Sequence, residues 1–217
     1  MIFDNNKTNN YFLFITSVIL LSLVVFLTKI FLSTDELLYN FYAEIYVQEQ
    51  IDDIVERQQK WWWLGYAIIP LFVIIRSSLV AFCLGITVFF YDMENTFKFK
   101  QFLRIALLGE FVWVLVAIVK FAYFYWFQTD FDLVAFQQYY PLSFINYLDV
   151  ESLDSWFVYP FQTINLFEVL YFFILVAGMH KLLKSNYWKS FEMVAVGYGM
   201  GLLVWLGLTM FLLLNIN

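Results

Sequence analysis

Of five ionisable residues singled out inside the long apolar runs of this sequence, four stand well away from a run's outer end: Arg76, Glu110, Lys120 and Glu168. Asn165 lies three positions before Glu168 and shares its helical face, so it joins them as a candidate intramembrane polar network. Lys29 is also in such a run, but near its end, where the stem can carry the ammonium outward. A charge in hydrocarbon is costly, so such groups either line a path for a proton, ion or polar substrate, or neutralise one another. Lys120 is about eight residues, roughly 12 Å, from one end of its run, and Glu168 about six residues, roughly 9 Å, from the same side. Those depths predict a Lys120–Glu168 pair. Arg76, near the middle of its run, is within reach of Glu110 and predicts a second pair. Both readings, polar path and paired charges, stay open on the sequence.

The runs that carry these residues are about 11–32, 64–91, 102–127, 162–179 and 191–214. Each is close to the roughly 20 residues that cross a hydrocarbon core of about 30 Å as a helix. The expectation is an all-α, polytopic membrane protein: one domain over 1–217, a five-transmembrane-helix bundle with an outer amphipathic helix and short interfacial helices. Its composition, 63% hydrophobic with a mean hydropathy of +0.73, leaves too little polar surface to cover a soluble domain.

Positive charge orients the bundle. Assigning the connecting segments alternately to two sides gives one side Lys7, Lys98, Lys100, Arg104, Lys181, Lys184 and Lys189, and the other only Arg57 and Lys60. Lysine and arginine stay on the cytoplasmic side, which puts the amino terminus inside and the carboxyl terminus outside. The first run is long for a signal peptide and no small-x-small site follows it, so it reads as a retained anchor. The two outer segments, 34–60 and 129–160, are acidic, and the net charge is −6. Such a surface does not bind nucleic acid.

Within the first outer segment, Ser33 and Glu36 are spaced as a capping box. Leu38, Phe41, Tyr42, Ile45, Val47, Ile51, Ile54 and Val55 then recur at helical spacing, which predicts an amphipathic helix on or near the surface, ended by Trp61, Trp62 and Trp63 at the headgroup level. Pro70 removes one backbone bond from the second run and predicts a kink. The loop 92–104 interleaves Phe and Lys, as a short interfacial segment would. The second outer segment, aromatic and broken by Pro141 and Pro160, predicts one or two short re-entrant or interfacial helices. In the last run Gly197 and Gly201 would admit a neighbouring helix closely.

Chemistry is sparse. Cys83 is the one cysteine and His180 the one histidine, which excludes an intrachain disulfide and a bis-histidine haem. No P-loop, nucleophile elbow, HExxH or CxxC occurs. We therefore expect no enzyme, no catalytic residue, no cofactor and no metal.

The arrangement resembles the Yip family of multi-span membrane proteins, over about 34–214. The likeness rests on the five runs with an outer carboxyl terminus, the acidic amphipathic stretch before the second run and the basic Phe97–Arg104 before the third. The closing pattern Asn165-Leu-Phe-Glu-Val-Leu, Gly178-Met-His-Lys-Leu and Tyr187-Trp-Lys-Ser-Phe is also similar. The long cytoplasmic tail of eukaryotic members is missing from the pattern, so a small-GTPase partner does not carry over. The resemblance implies a non-enzymatic protein of a bacterial inner membrane, acting as a scaffold or accessory subunit among other membrane subunits or copies of itself. A small transporter or channel using the polar intramembrane path is the alternative.

Overall fold

The computed structural model describes residues 9–32, 34–43, 46–91 and 97–216. Every regular element among them is helical: α1 (Asn10–Phe31), α2 (Thr34–Ala43), α3 (Gln48–Phe90), α4 (Phe99–Trp126), α5 (Leu133–Gln138), α6 (Ser155–Thr163), α7 (Leu166–Leu183), α8 (Tyr187–Val194) and α9 (Met200–Ile216). A π-turn over Ala195–Gly199 fuses α8 to α9. Two 3₁₀ turns, Phe144–Tyr147 and Val150–Ser152, lie between α5 and α6. Five helices are long and apolar enough to cross a membrane: α1, α3, α4, α7 and the fused α8–α9.

The main departure from the expected layout is α3. At 43 residues it is about 65 Å long, roughly twice a hydrocarbon core. The amphipathic stretch is therefore not one surface helix. Its first part is α2, and its second part, Gln48–Lys60, is the polar extension of α3 itself. No glycine or proline interrupts Gln48–Leu64, so helix propagates through Trp61, Trp62 and Trp63 rather than ending there. Ile51 is buried, while Glu49, Asp52, Asp53 and Glu56 are exposed, so this polar portion keeps the two faces its spacing implies. Pro70 sits within the same helix. Ser33 and Ile45 lie outside the described residues. So does 92–96, but Phe99–Arg104 forms the opening turns of α4 rather than a separate interfacial segment, with the Gln101 side chain accepting the Lys98 N–H at 2.8 Å.

Helix α4 is the centre of the bundle and packs against α1, α3 and α7. Its residues Ile105, Ala106, Val112 and Val116 join Leu84, Leu175, Val176, Met179, Met193 and Val194 in the main core. On the other flank Leu107 and Leu108 meet Leu13 and Val73. The expected glycine approach is present: a Cβ on Gly197 would lie 2.9 Å from the Cys83 carbonyl oxygen, and one on Gly201 2.8 Å from Cys83 Sγ. Those two glycines seat the last helix on α3. Beyond them none of the residues described over 202–215 is fully buried, and α9 touches α6 through Trp205 Nε1–H donating to the Tyr159 hydroxyl at 3.0 Å.

Two ends can be distinguished by charge. Asn10 Nδ2 donates to the Lys100 carbonyl at 2.9 Å, and the Tyr91 hydroxyl to Glu192 at 3.0 Å. Arg104 and Lys181 line one small cavity. These contacts gather the start of α1, the end of α3, the start of α4, the end of α7 and the start of α8 at a basic end. The acidic segments lie at the other end, where Lys29 pairs with Asp35 and Phe31 packs on Phe121 and Tyr125.

Candidate functional site: the buried charges

Glu110 faces out of α4 into the contact with α3 and is fully buried. Its carboxylate accepts from three donors: Arg76 Nε–H at 3.0 Å, Arg76 Nη2–H, and the buried Ser77 hydroxyl at 3.0 Å. The two Arg76 bonds form the fork geometry that makes guanidinium–carboxylate pairs strong. Above the guanidinium lies Trp113, with Arg76 Cζ 4.7 Å from the ring centroid. Trp113 is three residues after Glu110, so one face of α4 supplies both the anion and the ring. Tyr171 of α7 packs against the α4 backbone at Gly109, where a Cβ would fall 2.9 Å from its Cδ2. The Tyr171 hydroxyl and Trp113 Nε1–H are buried around this pair without a hydrogen-bond partner. The Arg76–Glu110 pair expected from depth is thus present, and Ser77, Trp113 and Tyr171 complete its surroundings.

The second expected pair is not. The Glu168 carboxylate accepts a hydrogen bond from Tyr198 of the π-turn. Lys120 instead projects toward α5, where its Nζ lies 4.6 Å from the Phe136 ring centroid. Two physical errors underlie the expectation. Depth along a helix says nothing about azimuth, which turns by about 100° per residue. And the fourth long helix begins at Leu166, not at 162, because Asn165 caps it: its Oδ1 accepts the Glu168 N–H at 2.7 Å. Glu168 is therefore in the first turn of α7, at the helix end where a carboxylate is favoured. Asn165 acts through this cap, and its Nδ2 donates to the Gln162 and Thr163 carbonyls at 2.8 and 3.1 Å.

The second acidic segment closes over this end of the bundle. It holds the two short helices α5 and α6, as expected, and between them a latch. Ser143 and Asn165 form an antiparallel bridge, with Phe144 N–H to the Ile164 carbonyl at 2.9 Å and Leu166 N–H to that of Leu142 at 3.2 Å. Leu142 takes φ +52° to make the turn. The Ser143 hydroxyl donates toward the Phe161 and Gln162 carbonyls, and Ile145 is buried beneath. Tyr140, just before the latch, is half-buried, and burial pushes its phenol above the usual range. Tyr171, its ring centroid 5.7 Å from that of Trp113 and 5.4 Å from that of Tyr198, joins the surroundings of Arg76 and Glu110 to those of Glu168 and Asn165, while Lys120 lies apart at Phe136.

Compared with protein-family models, curated proteins and solved structures, the chain matches none. The site stands on its own geometry. Among the described residues no group of three or more His, Cys, Asp or Glu side chains could hold a metal ion. His180 Nδ1 lies 2.7 Å from the Ser185 carbonyl, and half-buried Cys83 sits under Gly201. Both carboxylates are engaged by donors of the chain, an arrangement that locks helices together.

Proposed function

We propose that this chain is a non-enzymatic, multi-pass membrane protein that acts as a scaffold or accessory subunit of a membrane assembly. Five helices of sufficient length and apolarity support residence in a bilayer, and the gathering of Lys and Arg at one end supports that end facing the cytoplasm of a bacterial cell. The observation that carries the reading is the Arg76–Glu110 pair. Its fully buried carboxylate takes all its donors from neighbouring residues of the chain, so it holds α3 on α4 rather than awaiting a passing ion. The last helix supports the same reading, since α9 leaves Leu203, Val204, Phe211 and Leu214 exposed for lipid or partner helices. The resemblance to the Yip family implies action through partners or on membrane organisation, and agrees with this. Native mass spectrometry on protein released from its own membrane tests the reading through the presence of stoichiometric partners or a second copy.

A small transporter or channel is the second reading, and a cavity beside Lys120 favours it. That cavity takes in Lys120 but none of Arg76, Glu110, Asn165 or Glu168. A path built on all five would have to join two separate regions, which ranks this reading second.

A further inference from the structure

We propose that the cavity beside Lys120 is a binding site for a single-chain carboxylate amphiphile of the fatty-acid type. The cavity measures about 460 Å³, within the roughly 300–1,000 Å³ of small-molecule sites. It lies among α1, α2, α3, α4 and α5, at the acidic end of the bundle. Its interior is mostly apolar, from Val24, Val25, Leu38, Val55, Ala117 and Phe121.

Three charged side chains line it: Lys29, Asp35 and Lys120. Lys29 and Asp35 pair with each other at 3.4 Å, and Lys29 also lies 5.4 Å from the Trp62 ring. Their charges cancel, which leaves Lys120 as the uncompensated charge. Among the described residues its ammonium has no carboxylate and no hydrogen-bond acceptor, only the face of Phe136. Lys120 is half-buried, and its ammonium carries three donors that an anion in the cavity could accept. The second observation is Tyr66, which lines the same cavity with a buried hydroxyl that has no hydrogen-bond partner. An unpaired cation thus stands on the wall of an apolar chamber, and Tyr66 of the same wall keeps a buried hydroxyl without a partner.

That chemistry selects the ligand. One net positive charge matches a monoanion. A phosphate monoester, with about −1.5 to −2 charges and three strong acceptor oxygens, would leave charge unneutralised. A carboxylate presents two acceptor oxygens to the three donors of the Lys120 ammonium. The apolar walls take the alkyl chain, and Gln58 and Gln59 give the cavity a polar rim. A diacyl phosphodiester is also a monoanion but brings two chains and a bulkier head, so the single-chain carboxylate is the better fit.

The test uses full-length protein in nanodiscs of zwitterionic phosphatidylcholine, titrated with dodecanoate. Saturable binding is expected at one equivalent per chain, with dodecanol at least tenfold weaker because it lacks the charge. Lys120→Met should weaken dodecanoate at least tenfold, and Lys120→Arg should retain most of it. Lys120→Met removes no ion pair or hydrogen bond, so its fold should survive, which its melting temperature checks. Gly65→Leu gives an independent variant: Gly65 lines the cavity and a Cβ there meets nothing within 4 Å, so leucine should fit without disturbing the fold and narrow the chamber enough to abolish binding. Equal binding to wild type, Lys120→Met and Gly65→Leu would overturn the site. Equal affinity for dodecanol would overturn the role of the charge. Tight, Lys120-dependent binding of phosphatidylglycerol without binding of dodecanoate would overturn the single-chain assignment.

Discussion

Glu168 and Tyr198 meet across the seam between α7 and the π-turn, where the tyrosine hydroxyl donates to the carboxylate. The same carboxylate therefore has no need of Lys120, although both residues stand in apolar helices. The two contacts that do form, Glu168–Tyr198 and Arg76–Glu110, tie α7 to the last helix and α3 to α4.

Removing one member of the Arg76–Glu110 pair should destabilise the bundle, because the partner remains buried and unmatched. Glu110→Gln and Arg76→Met should each lower thermal stability in detergent, by about 1–3 kcal/mol for the orphaned group. The double substitution should recover part of the loss, with a coupling of about 1 kcal/mol. Strictly additive losses would show that the pair contributes nothing to helix packing.

Lys120 and Glu168 should behave as independent sites. Lys120→Met and Glu168→Gln should add to within about 0.5 kcal/mol in a double-mutant cycle. Tyr198→Phe and Glu168→Gln, by contrast, should couple measurably. A strong coupling between Lys120 and Glu168 would place the lysine on the other side of α4.

The glycines of the last helix should not be equivalent. Gly197→Ala drives a methyl into Thr87 and the Cys83 carbonyl and should cost about 1–3 kcal/mol. Gly199→Ala and Gly207→Ala meet nothing within 4 Å and should be neutral or slightly stabilising, since alanine is the better helix former. Melting temperatures of the three variants, side by side, decide it. Equal losses would mean that the last helix does not rest on α3 through Gly197.

Topology is tested by reporters. A fusion after Asn217 should report the outer side and one within 181–189 the cytoplasm, from the bias of Lys and Arg toward the basic end. Both on one side would remove a crossing between them, and with it the five-span arrangement.

Much of the fold was legible because long apolar runs between charged segments are a strong signal, and the structure returns a long helix for each of them. The Arg76–Glu110 pair was legible too, since the arginine stem can close a mismatch in depth. Boundaries were less so. The extension of α3 through Trp61–Trp63 was missed because tryptophan suggested an interface, yet the absence of glycine or proline before it was the better guide. The start of α7 was missed because apolar residues continue upstream of Asn165, and only its capping bond to Glu168 N–H marks the true end. Tyr171 and Tyr198 do not stand out as site residues in the sequence because aromatic residues are abundant in this chain. The usable clue was spacing: Tyr171 is three residues after Glu168, on the same face.

The central claim, that the chain works as part of an assembly, is tested most directly by native mass spectrometry after mild extraction from its own membrane. Cysteine cross-linking at Val204 or Leu208, both exposed on α9, should accompany it. The expected result is a complex of fixed stoichiometry, with other subunits or a second copy, captured through that helix. A lone monomer in every extraction, with no cross-link from either position, would contradict the account.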